Sequence, residues 1–237
     1  MKLNNRLRTI AAEIPYCQTL ADIGTDHGYI PIYAVKNRIC RKALASDLRI
    51  GPLEKANENI RRYGAEGQVE TRLGNGLEPI LHSECDVIVI SGMGGLLIKD
   101  ILSKSFDKAK QAELLLLQPN NAADALRKWL SENGFDILAE NLALDAGKIY
   151  CVISAKWTGS TAKKDDFSYY VGEKLLTSGN PLLTAYLEKK LKELDTIITG
   201  REKAKPDKVR RAPAPNDMDT ETCIMIRDRI RSYLETM

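Results

Sequence analysis

Histidine occurs only twice, at His27 and His82, and the five cysteines, Cys17, Cys40, Cys85, Cys151 and Cys223, are scattered without a Cys-x-x-Cys pair. This spacing argues against a zinc module and a disulfide scaffold, so no metal site is expected. No apolar run approaches the roughly 20 residues that span a bilayer, and Met1-Lys2-Leu3-Asn4-Asn5-Arg6 leads into no signal-peptide core. The expectation is a cytoplasmic chain with reduced thiols and no membrane association. An excess of one charge is also missing: 35 basic residues face 32 acidic ones, for a net charge of +3. Any nucleic-acid contact must therefore come from a local cluster. The Gly-x-Gly-x-x-Gly pattern that cradles the pyrophosphate of a dinucleotide is absent as well.

What is present is a regular alternation of strand and helix signals as far as about residue 155. The chain has 237 residues, 43% of them hydrophobic, which is enough for one sizeable core plus an appendage. Strands are predicted at 19–23, 42–47, 69–73, 87–91, 114–119, 137–144 and 149–155, with helices between them that include 52–63 and 122–133. Such a rhythm builds a parallel sheet covered by helices on both faces. The unbroken apolar runs Val87-Ile88-Val89-Ile90 and Leu114-Leu115-Leu116-Leu117 belong at its centre. Only Asp145-Ala146-Gly147 separates the last two strands, too little for a helical crossover, so they form an antiparallel hairpin at the end of the sheet.

Ligands in such sheets bind beyond the carboxyl ends of the strands. After the first predicted strand come Gly24, Asp26, His27 and Gly28, with Asp22 just before the turn. The second ends at Asp47, 23 residues beyond Gly24, where an acid can accept both hydroxyls of a ribose. Gly74-Asn75-Gly76 follows the third, Ser91-Gly92-Met93-Gly94-Gly95 the fourth, and Gln118-Pro119-Asn120 closes the fifth. Four of the five ends carry small or amide residues that admit a ligand closely. Asp22 itself either touches the ligand or caps adjacent backbone. A dinucleotide-linked oxidoreductase would also use a glycine turn and Asp47, but with different glycine spacing. A non-catalytic RNA-binding module would leave the crevice unexplained.

Ala21-Asp22-Ile23-Gly24-Thr25-Asp26-His27-Gly28-Tyr29-Ile30-Pro31, Gly74-Asn75-Gly76-Leu77, Gly92-Met93-Gly94-Gly95, Leu117-Gln118-Pro119-Asn120 and Gly147-Lys148-Ile149-Tyr150 together resemble the bacterial tRNA (adenine-22-N1)-methyltransferase family. That family lies within the class I S-adenosylmethionine-dependent methyltransferases. The resemblance implies an α/β fold: a Rossmann-like seven-stranded sheet at 1–158, its last two strands a hairpin, followed by a coiled-coil-like helical domain at 159–237. It implies S-adenosyl-L-methionine as cofactor and tRNA as substrate, with no obligate protein partner. Asp22, Gly24, His27, Gly28, Asp47, Asn75, Gly76, Gly92, Met93 and Gly94 are then expected at the cofactor. Asp47 stands where family members often carry glutamate, a shorter reach to the same hydroxyls. Because this cofactor has no phosphate, the first turn does not need the full dinucleotide glycine pattern.

Many amino-methylating relatives carry an Asn-Pro-Pro-Tyr-like segment after the fourth strand, and this chain does not. Asp26 is the expected contact to the target base, with Asn120 as a second choice. The N1 edge of adenine is used in base pairing, so the base must be taken unpaired or flipped, with the RNA held outside the pocket. Arg6 and Arg8 lie ahead of the first predicted strand. The connector 200–215 has six basic and two acidic side chains, among them Lys205, Lys208, Arg210 and Arg211. These are the expected phosphate contacts. Around the connector, Leu187, Leu191, Leu194 and Ile198, then Cys223, Ile226, Ile230, Tyr233 and Met237, repeat at helical spacing and predict an antiparallel helical hairpin.

Overall fold

Residues Val87 to Ile90 send alternate side chains to opposite faces: Val87 and Val89 enter one buried cluster, Ile88 and Ile90 another. A strand with apolar residues on both sides must be covered on both sides. The computed structural model, which describes residues 1–203 and 218–236, shows how.

Seven strands, β1 (Cys17–Ile23), β2 (Cys40–Asp47), β3 (Val69–Leu73), β4 (Val87–Met93), β5 (Leu114–Pro119), β6 (Phe135–Asp145) and β7 (Lys148–Trp157), form one sheet in the order β3-β2-β1-β4-β5-β7-β6. The first five are parallel, and β7 lies antiparallel between β5 and β6. The strand order turns back between β1 and β4, so their carboxyl ends flank the crevice where such sheets take ligands.

One face carries α1 (Asn5–Ala12), α2 (Tyr29–Lys36) and α3 (Ile50–Arg62), packing Ile10, Ile32, Val35 and Ile60 onto Leu20, Ala43 and Val89. The other carries α4 (Gly95–Lys104), the short α5 (Phe106–Ala109) and α6 (Ala123–Glu132), which bury Ile98, Leu102, Leu126 and Leu130. Helix α1 was not expected from the sequence. Its eight residues are fixed by Asn4, whose side chain accepts from Leu7 N, and by the sheet's hairpin: Asn5 N donates to Asp145 Oδ1, and Asn5 Nδ2 to Leu144 O.

The hairpin turn is Ala146-Gly147, with φ of 47° and 75°. Two consecutive positive φ values give the turn whose twist matches paired strands. Because β7 starts beside the carboxyl end of β5, the turn brings Tyr150 back to the crevice side of the sheet.

Beyond β7 come α7 (Asp166–Val171), α8 (Glu173–Leu176), α9 (Leu183–Lys203) and α10 (Thr220–Glu235). Helices α9 and α10 run antiparallel, Arg201 reaching Met218 O at one end and Arg231 reaching Asp195 further along. Their stripes are buried at Leu187, Leu194, Ile198, Cys223, Ile226 and Ile230. These residues share one continuous apolar cluster with the sheet, so buried contact passes residue 158 without interruption.

Among the described residues no helix is long and apolar enough to cross a membrane, and no His, Cys, Asp and Glu side chains are grouped as a metal site.

Candidate functional site

The β1 turn is tied to its neighbour before any ligand is considered. Gly24 N and Thr25 N both donate to Ser46 O at the end of β2, at 2.8 and 2.9 Å. Gly24 takes φ +77°, and a Cβ there would sit 2.0 Å from Met93 Cε, so the position is left-handed and covered by the end of β4. Thr25 is buried and its hydroxyl accepts from Gly28 N, which starts α2.

Asp22 is 6% exposed, and burial pushes its carboxyl up to about 6, against the pull of the Thr25 hydroxyl and the Arg6 guanidinium, with Asp47 adding a further push. Asp47 is 8% exposed at the end of β2, its Oδ1 accepting from Arg49 N at 2.8 Å. Two buried acids thus stand at neighbouring strand ends, a costly arrangement unless something cationic or hydrogen-bond-donating meets them. His27 Nε2 lies 3.2 Å from Asp26 Oδ2, and its ring stacks on Tyr29 with centroids 5.2 Å apart. Asp26 keeps about two thirds of its side chain in solvent, at the mouth.

On the other side of the crevice β4 ends irregularly. The β4–β5 register slips between Ser91 and Met93, leaving a bulge at Gly92 with φ +77°. Gly95 packs so closely against the next loop that a Cβ would lie 2.2 Å from Ala122 O, and its N–H donates to Asn121 O. Past β3, Asn75 is exposed and Gly76 packs on Ile101, while the loop that follows is pinned by Arg72, which binds both carboxylate oxygens of Glu84 at 2.6 Å and Pro79 O at 2.9 Å.

Asp22, Gly24, Thr25 and Asp47 thus stand at the carboxyl ends of β1 and β2, and Gly92, Met93 and Gly94 at that of the neighbouring β4, with Met93 against Gly24. One expected residue is placed differently. Arg6, expected on an outer RNA-gripping surface, reaches inward: its Nη1 donates to Gln118 Oε1 at 2.7 Å and its guanidinium lies 5.7 Å from the Tyr150 ring centroid. Asn120, expected as a base contact, is exposed at the end of β5, with its amide bonded to Gln118 and Gly92. Arg8 is exposed on α1. Lys205, Lys208, Arg210 and Arg211 lie outside the described residues.

A family model for a methyltransferase domain matches residues 3–153. The tRNA (adenine(22)-N(1))-methyltransferase of Bacillus subtilis is 38% identical over 172 residues, covering 73% of this chain and 72% of the relative. The chain belongs to the tRNA (adenine-22-N1)-methyltransferase family. Likeness to that family extends over the whole length. The crystal structure of the B. subtilis m1A22 tRNA methyltransferase TrmK superposes with a TM-score of 0.81 at 30% identity, covering 99% of this chain and 98% of the other. A Streptococcus pneumoniae structure in complex with S-adenosyl-L-methionine superposes at 0.83 and 28% identity, covering 98% and 100%.

The crevice residues fit that cofactor. It has an amino group and a ribose to offer to Asp22 and Asp47, and a carboxylate that suits Arg6 beside Asp22. Sequence reading put Gln118 at a crevice strand end without giving it a role, and put Arg6 on the RNA surface and not in the crevice. The motif Gly147-Lys148-Ile149-Tyr150 held the available clue, because Tyr150 at the hairpin is what Arg6 packs against.

Proposed function

We propose that this protein transfers the methyl group of S-adenosyl-L-methionine to N1 of adenine 22 in tRNA. The observation that carries it is the pair of buried carboxylates, Asp22 and Asp47, on either side of the Gly24 turn in a chain of this family. When bound, the cofactor supplies an electrophilic methyl on a sulfonium centre.

The protein's own residues provide placement. Asp22 accepts the ammonium and Arg6 the carboxylate of the methionyl end, Asp47 takes the two ribose hydroxyls, and Gly24 gives the turn between the two acids its left-handed bend with Met93 packed against it. His27, Gly28, Asn75 and Gly76 border the same space. Methyl transfer needs no covalent protein nucleophile, because adenine N1 has its own lone pair and alignment supplies much of the acceleration. Positive charge develops on the base, and the exposed position of Asp26 beside His27 supports its assignment as the carboxylate that meets that charge. Backbone at 92–94 forms the facing wall. Arg8 and the basic connector with Lys205, Lys208, Arg210 and Arg211 take tRNA phosphates, and the protein works in the cytoplasm without an obligate protein partner.

The test is to incubate the full chain with unmodified tRNA and methyl-labelled cofactor, then map the labelled nucleotide. Label at adenine 22 that disappears when the transcript carries guanosine at that position supports the reading. Label confined to protein or small molecules, or saturable binding of NAD in place of S-adenosyl-L-methionine, overturns it.

A further inference from the structure

Gln118 has no exposed surface, yet none of the roles above uses it. Its Oε1 accepts from Arg6 Nη1 at 2.7 Å and from Gly92 N at 3.1 Å, and its Nε2 donates to Asn120 Oδ1 at 3.0 Å. Asn120 then donates from Nδ2 to Gly92 O at 2.7 Å, while its own backbone N–H donates to Met93 O at 2.7 Å. Both backbone polar groups of Gly92 are thus held by side-chain amides. The reason is the bulge: where the β4–β5 register slips, the ladder no longer serves Gly92, and two amides take the place of the missing partners.

The ring has a direction. A guanidinium only donates, so Gln118 must turn Oε1 toward Arg6; Nε2 is then left for Asn120 Oδ1, and Asn120 must turn Nδ2 toward Gly92 O. Arg6 and the backbone of Gly92 together fix the orientation of the two amides, and the amides in turn hold the backbone at the end of β4.

We propose that Gln118 is a positioning residue for methyl transfer, acting through Asn120 and Arg6 to hold the Gly92 bulge against the target base. The reaction invoked is the one proposed above, and the experiment separates the two. Full-length Gln118→Leu and Gln118→Glu are compared with the wild type for cofactor affinity, kcat and KM on tRNA, and hydrogen exchange of the Gly92 amide. The leucine substitution would remove every bond that Gln118 makes in the ring. The glutamate substitution would keep the acceptor for Arg6 and Gly92 N and set a carboxylate oxygen against Asn120 Oδ1 in place of the donated bond, with the added charge facing Arg6, so it remains informative if the leucine variant fails to fold.

Both variants are expected to lower kcat by about 100-fold with KM and cofactor affinity within about threefold, the signature of a misplaced but bound substrate. Gly92 exchange should accelerate in Gln118→Leu and stay slow in Gln118→Glu. Wild-type kcat in the glutamate variant, a defect confined to cofactor affinity or KM, or a lowered melting temperature at unchanged kcat would each overturn the proposal. A wild-type protein that methylates no tRNA overturns the functional reading instead, and the Gly92 exchange in the leucine variant still decides whether Gln118 holds the bulge.

Discussion

Arg127 of α6 and Glu140 of β6 form an ion pair, Nε to Oε1 at 2.6 Å, with both side chains 1% exposed. The same guanidinium donates to Tyr169 O at 2.9 Å and Tyr170 O at 3.3 Å in α7 and to Cys151 Sγ at 3.4 Å in β7. One side chain therefore joins the helix after the crevice, the sheet edge and the first C-terminal helix. Removing one partner of a buried pair strands the other charge. Glu140→Ala is expected to cost about 3–5 kcal/mol in urea unfolding, while the double change Arg127→Met with Glu140→Leu recovers most of it. A single-variant loss under about 1 kcal/mol would contradict this.

Asp22 gives the site a pH signature. Its carboxyl is held up to about 6, so the folded protein keeps the proton that the unfolded chain releases nearer the ordinary aspartate range. The stabilising contribution is full below that ordinary range and lost as pH rises through about 6. Asp22→Asn should therefore be more stable than wild type at pH 8, by up to about 3 kcal/mol, and should lose the pH dependence. Cofactor binding runs the other way, since an ammonium needs the ionised acid. Calorimetry should show wild-type affinity falling about tenfold per pH unit below about 6; a flat profile would remove Asp22 from the amino-group site.

Much of this architecture is legible in the chain. Strands β3 and β5 lie where their apolar runs predict, and the short link after Leu144 forces the hairpin. Other strand ends extend further because polar residues such as Gln18 and Arg41 join the ladder beside Cys17 and Cys40, which pair across β1 and β2. Helix α1 shows weakly, since its cap and sheet contacts fix it more than its own apolar pattern does. The Arg6–Gln118 bond spans 112 positions, a separation that no local spacing rule encodes. Asp26 and His27 are adjacent in sequence, but their pairing and the stack on Tyr29 become visible only with the turn folded.

Gly95 is the tightest backbone approach near the crevice. A methyl group there would meet Ala122 O at 2.2 Å and Asn121 O at 2.9 Å, and backbone has to move to admit it. Gly95→Ala is expected to lower stability by about 3 kcal/mol and, because α4 and the 120–122 loop shift together, to reduce tRNA methylation more than cofactor affinity. Thermal melts and steady-state kinetics check both parts; wild-type values in each would mean the loop yields freely.

Asp47→Ala removes the acid assigned to the ribose. Cofactor affinity should drop about 100-fold with tRNA affinity unchanged, as measured by separate titrations. Arg210→Ala combined with Arg211→Ala should do the reverse, weakening tRNA binding and reducing the slope of log affinity against log salt by about 2. Unchanged slopes would remove both arginines from the phosphate contacts.

The apolar cluster that runs from Ile153 and Ala155 through Tyr170 and Leu187 to Ile226 and Ile230 has a thermodynamic consequence. Because strands and C-terminal helices share this cluster, the crevice and the distant helices are expected to melt in a single calorimetric transition, and two resolved transitions would contradict this. Truncating Ile230 would then show up at warm temperatures as weakened cofactor binding, although that side chain belongs to the last helix of the chain.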